Sequence, residues 1–341
     1  MRRLFTALAL TLLAATTAVA CGSDDGGPAA RTKVTVVLDW TPNTNHAGLY
    51  LARDKGLYAE QGLDVTIIEP DENGGLPMLA AGQADFAVSV AEAVLPARAE
   101  GADVVSVAAI LAHNTSSLVV PADRGVRTAK DLEGKTYGGY GGELEKALLD
   151  RLVTCAGGDP AKVRSVEVGN VDYAVGFQQK QFDAVWVFDG WDVIRLRDLE
   201  GMAVTTIPFL APAGSPECIP DWYTPLLATS GASIKDRPGL VKAFMKATAA
   251  GYELARTDAA TAAKTLLAAA PELDAALVTR SAEYLAPRYG DTGKAWGVQD
   301  AAVWQRFAAF LVDNRLLAAG TDPAAAFTNE FLPGGSAKPG S

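Results

Sequence analysis

The chain has 341 residues, 49% of them hydrophobic and 21% charged, which is enough to bury a sizeable core and excludes a disordered or collagen-like chain. Thirty Lys and Arg stand against forty Asp and Glu, a net charge of −10 that argues against nucleic acid as a partner. Two histidines and three cysteines, none at ligand spacing, exclude most zinc clusters, and no metal is expected.

Arg2 and Arg3 precede an apolar run from Leu4 to Val19, and Ala18-Val19-Ala20 places small residues ahead of Cys21. The pattern predicts a secretory signal over residues 1–20, too short for a membrane span and followed by no second one. Cys21 resembles the cysteine of a bacterial lipobox. That resemblance implies lipidation of Cys21, a flexible tether over 21–31, and an extracytoplasmic protein held at the cell membrane. In such an oxidising space Cys155 and Cys218 either pair or stay as two buried thiols.

In chain order, Lys33–Asp39 reads as a buried strand, and a loop over Trp40–His46 leads into a helix running towards Lys55. Strands at 63–68, 85–89 and 104–111 alternate with helices at 75–81 and 91–100, the signature of a parallel α/β sheet. A strand at 117–121 leaves this unit. A second α/β series then has strands at 136–138, 165–168 and 184–188, with a helix at 143–155. A return strand at 226–229 is followed by alanine-rich helices from residue 237 to about 332, and a Pro/Gly/Ser tail fills 333–341. Two α/β series and no third sheet predict a two-lobe α/β body with a ligand cleft between the lobes. Lobe 1 takes 32–119 and 229–332, and lobe 2 takes 120–228.

At Leu38-Asp-Trp-Thr-Pro-Asn-Thr-Asn-His-Ala-Gly-Leu-Tyr50 the sequence resembles the opening of the thiamine pyrimidine precursor binding proteins and the related yeast-type thiamine pyrimidine synthases. The likeness continues through 52–64, Leu79–Phe86 and Phe327–Phe331. It implies a periplasmic-binding-protein-like fold of type II, a small heteroaromatic ligand, and as partners an ABC permease with its ATPase. No cofactor and no catalysis are expected.

Beside that likeness, a flat heteroaromatic ligand needs aromatic faces and a few fixed polar groups. Asp39, Trp40, Asn43, Asn45 and His46 follow a strand end, with Tyr50 one helical turn on. The turn Gly138-Gly-Tyr-Gly-Gly142 precedes a helix and has two readings. Its amides suit an anion, whereas Glu143 at the helix start favours a ligand bearing N–H donors, with Tyr140 beside it. In the second lobe, Asp189, Trp191, Trp222 and Tyr223 form candidate ring clamps. No arginine stands beside these motifs, which counts against a sulfonate or nitrate ligand. Riboflavin or a relative is the alternative heterocycle. The synthase branch holds pyridoxal phosphate on a lysine and consumes a histidine. Ser89 and Ala93 stand where those residues would fall, so Ser89 is assigned to ligand contact.

Overall fold

A computed structural model describes residues 30–211 and 217–334. The leader, Cys21 and most of the tether and tail lie outside the described residues. Among the described residues no helix is long and apolar enough to cross a membrane.

The first series holds β1 (Thr32–Val37), α1 (Ala47–Asp54), α2 (Leu57–Glu60), β2 (Leu63–Ile68), α3 (Gly75–Ala80), β3 (Phe86–Ser89), α4 (Ala91–Ala99) and β4 (Val104–Ala109). The second holds β5 (Ser116–Pro121), β6 (Thr136–Gly139), α5 (Glu143–Cys155), β7 (Arg164–Glu167), α6 (Tyr173–Gln178), β8 (Ala184–Phe188) and β9 (Val204–Pro208). The chain returns through β10 (Leu226–Ser230) and closes with α7 (Gly231–Asp236), α8 (Pro238–Thr257), α9 (Ala259–Ala269), α10 (Ala275–Leu285) and α11 (Ala301–Asp313).

The expected α/β architecture is present as two five-stranded sheets, ordered β2-β1-β3-β10-β4 and β7-β6-β8-β5-β9. The orders are equivalent. Each sheet has three parallel strands at one edge, and its fourth strand, β10 or β5, is antiparallel to both neighbours. Residues 110–115 and 209–225 connect the sheets. Runs such as Val34, Val36 and Val37 in β1 and Val119 and Val120 in β5 are buried because helices cover the sheets, which is why they lack strict alternation.

Asp258, Asp274 and Asp300 accept backbone N–H bonds at the starts of α9, α10 and α11, so the late helices carry their own start signals. Where α1 crosses α8, Gly48 and Gly251 permit the approach: a Cβ on Gly48 would stand 2.3 Å from the Tyr252 ring. Cys155 at the end of α5 is disulfide-bonded to Cys218 in the return connection, with Cα atoms 5.9 Å apart.

The structure adds elements that the pattern did not suggest. β9 is an edge strand whose residues are only partly covered, so Val-Thr-Thr-Ile-Pro lacks the apolar density of the others. Residues Asp189–Val193 and Arg195–Leu199 form a π-helical stretch packed on α10. Gly190 makes that contact possible, since a Cβ there would come 2.9 Å from the Tyr284 ring.

Candidate functional site

The parallel strands of both sheets end at a common cleft, where α/β sheets leave backbone and loops free for ligands. A cavity of about 790 Å³ occupies it. Asp39–Thr41 and Asn43–Asn45 follow β1, and Val90 and Glu92 follow β3. Tyr140, Asn170–Tyr173 and Gly190–Asp192 follow β6, β7 and β8, while Thr115, Thr224 and Pro225 come from the connections. The three large aromatic side chains that are exposed among the described residues, Trp40 (55%), Tyr140 (59%) and Phe188 (39%), all line this cavity. Aromatic surface left in water around one cleft is the feature that marks it as a site.

The loop after β1 is held from below. Tyr252 and Tyr289 donate their hydroxyls to the Asn45 and Thr44 carbonyls at 2.8 and 2.5 Å. Asn43 Oδ1 accepts the Asn45 N–H at 3.0 Å, and the Asn43 N–H is donated to His46 Nδ1 at 3.2 Å. His46 therefore carries its proton on Nε2 and donates it to Asp39 Oδ1 at 2.7 Å. His46 is fully buried: it orients Asp39, and Asp39 faces the cavity.

Across the cleft, the glycine loop encloses a carboxylate of its own chain. Glu145 Oε2 accepts the Tyr140 and Gly141 N–H groups at 2.8 and 3.0 Å, and Oε1 accepts the Tyr137 hydroxyl at 2.5 Å. Gly139 leaves room for it, because a Cβ there would lie 2.4 Å from Glu145 Oε1. Tyr140 is steadied by donating its hydroxyl to Asn170 Oδ1 at 2.5 Å.

Other polar groups in the cleft lack partners. Glu92 Oε2 and Trp186 Nε1 are buried without a hydrogen bond in the chain. Burial pushes the Glu92 carboxyl up to about 7, with the Asp39 charge adding to the rise. Asp192 is raised to about 6 by burial, opposed by the Phe188 N–H that it accepts at 3.2 Å. Arg195 also lines the cavity but is already paired with Asp172 and, at 2.7 Å, with Glu200.

Of the residues singled out in the sequence, Asp39, Trp40, Asn43, Asn45, Tyr140 and Trp191 line this cavity. The rest are placed elsewhere. His46 stands behind Asp39, because burial and two hydrogen bonds make it part of the loop's support. Tyr50 is buried against Ala263, Leu266 and Val278, the helix having turned its face into the core. Ser89 is buried within β3 opposite Leu226 of β10. Glu143 is exposed at the start of α5, and the glutamate that meets the loop amides is Glu145, two residues on. Asp189 lines a separate cavity of about 380 Å³ with His113, Tyr284 and Arg288. Trp222 is 1% exposed and stacks on Phe307, centroids 5.1 Å apart. Tyr223 is buried, its hydroxyl accepting the Asp300 N–H at 2.7 Å.

Sequence reasoning passed over Glu92, Glu145, Asp192 and Arg195. Glu92 and Glu145 shared one feature, an acidic side chain in the first turn of a helix after a buried strand, which complementing the helix dipole explains equally well. Arg195 carried none; the absence of an arginine beside the predicted motifs left room for a more distant one, and Arg195 lines the cavity. Among the described residues no group of three or more His, Cys, Asp or Glu is arranged to hold a metal.

The "4-amino-5-hydroxymethyl-2-methylpyrimidine phosphate synthase" of Legionella pneumophila is 26% identical over 307 residues, 89% of this chain and 93% of that protein. The "formylaminopyrimidine-binding protein" of Halalkalibacterium halodurans is 27% identical over 286 residues, 82% of this chain and 84% of that one. The periplasmic aliphatic sulphonate binding protein SsuA of Escherichia coli superimposes with a TM-score of 0.64 at 17% identity, covering 86% of this chain and 91% of SsuA. The fold is thus that of the periplasmic binding proteins. Residues 43–262 match the model of the NMT1/THI5-like family, and the chain belongs to that family.

Proposed function

We propose that the chain is the solute receptor of an ABC importer, lipid-anchored outside the cytoplasm through Cys21. It captures a thiamine pyrimidine precursor of the formylaminopyrimidine or hydroxymethylpyrimidine kind and hands it to the permease and its ATPase. The two named relatives carry different activities at nearly equal identity, so the residues of this chain choose between them. The observation that carries the reading is the unpartnered Glu92 Oε2 inside a cleft rimmed by Trp40, Tyr140 and Phe188. An aminopyrimidine offers flat faces for the rings and an edge with an amino donor beside a ring-nitrogen acceptor. A carboxyl poised near neutrality meets that edge as acceptor or as donor. Closure of the lobes around the ring would shift the open and closed populations that a permease distinguishes.

The residues do not fit pyridoxal phosphate. No lysine lines the cavity among the described residues, Ser89 is buried in β3, and the loop amides that would take a phosphate are bonded to Glu145. The size of the cavity, about 790 Å³, supports a second reading, a larger heteroaromatic such as riboflavin.

Thermal-shift and calorimetric titration of the purified chain with aminopyrimidines, riboflavin, taurine and pyridoxal phosphate tests both readings. Stabilisation by an aminopyrimidine alone is expected. A response to riboflavin alone replaces the ligand, and one to pyridoxal phosphate overturns the receptor reading.

A further inference from the structure

The reading of the cleft as a receptor site is the premise here. Two features of that cleft have the chemistry to hold a phosphate or sulfonate: the amides of the glycine loop ahead of α5, and the Arg195 guanidinium. Both are satisfied from within the chain. Glu145 Oε2 takes the Tyr140 and Gly141 N–H groups, its Oε1 takes the Tyr137 hydroxyl, and Asp172 and Glu200 neutralise Arg195. Glu145 is 9% exposed, and Gly139 carries no side chain where one would collide with it.

We infer that Glu145 is a specificity determinant, a resident carboxylate that fills the anion-binding loop and sets the cleft against phosphorylated and sulfonated ligands. An anionic ligand would have to displace a carboxylate already holding three donors, or sit beside its charge in a partly desolvated cleft. A neutral ring pays neither cost. The same loop, freed of Glu145, presents two amides and a helix N-terminus to the cavity.

Inorganic sulfate is the first probe. Glu145→Ala should gain a sulfate-dependent rise in Tm that the parent lacks, and the isosteric Glu145→Gln a smaller one. Glu143→Gln removes a charge from the same helical turn without touching the loop amides, and should gain none. Calorimetry with 4-amino-5-hydroxymethyl-2-methylpyrimidine and its phosphate should show the phosphate-to-alcohol affinity ratio rising about tenfold in Glu145→Ala, the worth of one charge-assisted hydrogen bond. Folded Glu145 variants without a sulfate response overturn the inference. So does an equal gain in Glu143→Gln, which would assign the effect to net charge. The sulfate readout involves no pyrimidine, so failure of the parent to bind any aminopyrimidine would defeat the proposed function and leave this result intact.

Discussion

The dipeptide Asp-Trp occurs at 39–40 and again at 221–222, and in both places the aspartate is hydrogen-bonded to a histidine. The outcomes are opposite. Trp40 is 55% exposed at the cleft, and its neighbour Asp39 is held by a buried His46 that donates once and accepts once. Trp222 is 1% exposed and stacked on Phe307. Its neighbour Asp221 takes His113 Nδ1 at 2.6 Å while His113 Nε2 faces Asp291 at 3.0 Å. A ring with a carboxylate at each nitrogen can donate to both only as imidazolium. Identical residue types therefore became a cleft-facing pair and a structural clasp, and the packing around each tryptophan decided which.

Glu92 lines the same cleft as Asp39: burial raises its carboxyl, and the Asp39 charge adds to the rise.

The sharpest way to break this comparison is to truncate both tryptophans. Trp222→Ala should destabilise the protein by about 3–5 kcal/mol, the usual cost of removing a large buried aromatic, measured by urea denaturation. Trp40→Ala should leave stability within about 0.5 kcal/mol and weaken binding of an aromatic ligand by about 1–3 kcal/mol, measured by calorimetry. If the two variants behave alike, the distinction between wall and core fails.

Glu92→Gln tests the buried carboxyl of the cleft. The folded pKa is raised above the ordinary carboxylate value, so the contribution of Glu92 to stability is full below about pH 4.5 and is lost as pH rises through about 7. The parent Tm should fall across that window relative to the Gln variant, and ligand affinity in the variant should drop by about tenfold at pH 7.

The smallest effect belongs to His113. Its pKa is raised, chiefly by the bond to Asp221 and opposed by partial burial, with the charges of Asp221 and Asp291 adding to the rise. Lys294 holds Asp291 from the other side at 2.8 Å, and Arg288 lines the same cavity. The stabilisation is full below the usual imidazole value of about 6.5 and is lost as pH rises through the folded value. Half of the His113 side chain is in water, so the amplitude is ~0.5 kcal/mol or less. His113→Gln should flatten the alkaline limb of the Tm profile by that amount.

Much of the fold was legible in the chain. Residues 143–155 and 184–188 read directly as α5 and β8, because apolar spacing and flanking glycine or polar residues report local geometry. β9 and the π-helical stretch were not legible, since an edge strand needs little apolar density and a π-helix shares the composition of an α-helix. Within the site, the Asp39–Asn45 loop could be read from its position after a strand. Glu145 could not, because a glutamate in a helix's first turn looks like any other that complements the dipole.

What the sequence by itself determined is the set of local preferences: where strands alternate with helices, where the glycine turn falls, and which segments carry aromatics and carboxylates. Only the tertiary structure decided which of those aromatics kept a face in water and which carboxylates remained without partners. Local preference depends on neighbours along the chain. Burial and hydrogen-bond satisfaction depend on groups brought from far away in sequence, such as Phe307 against Trp222, and no pattern along the chain records which group will arrive.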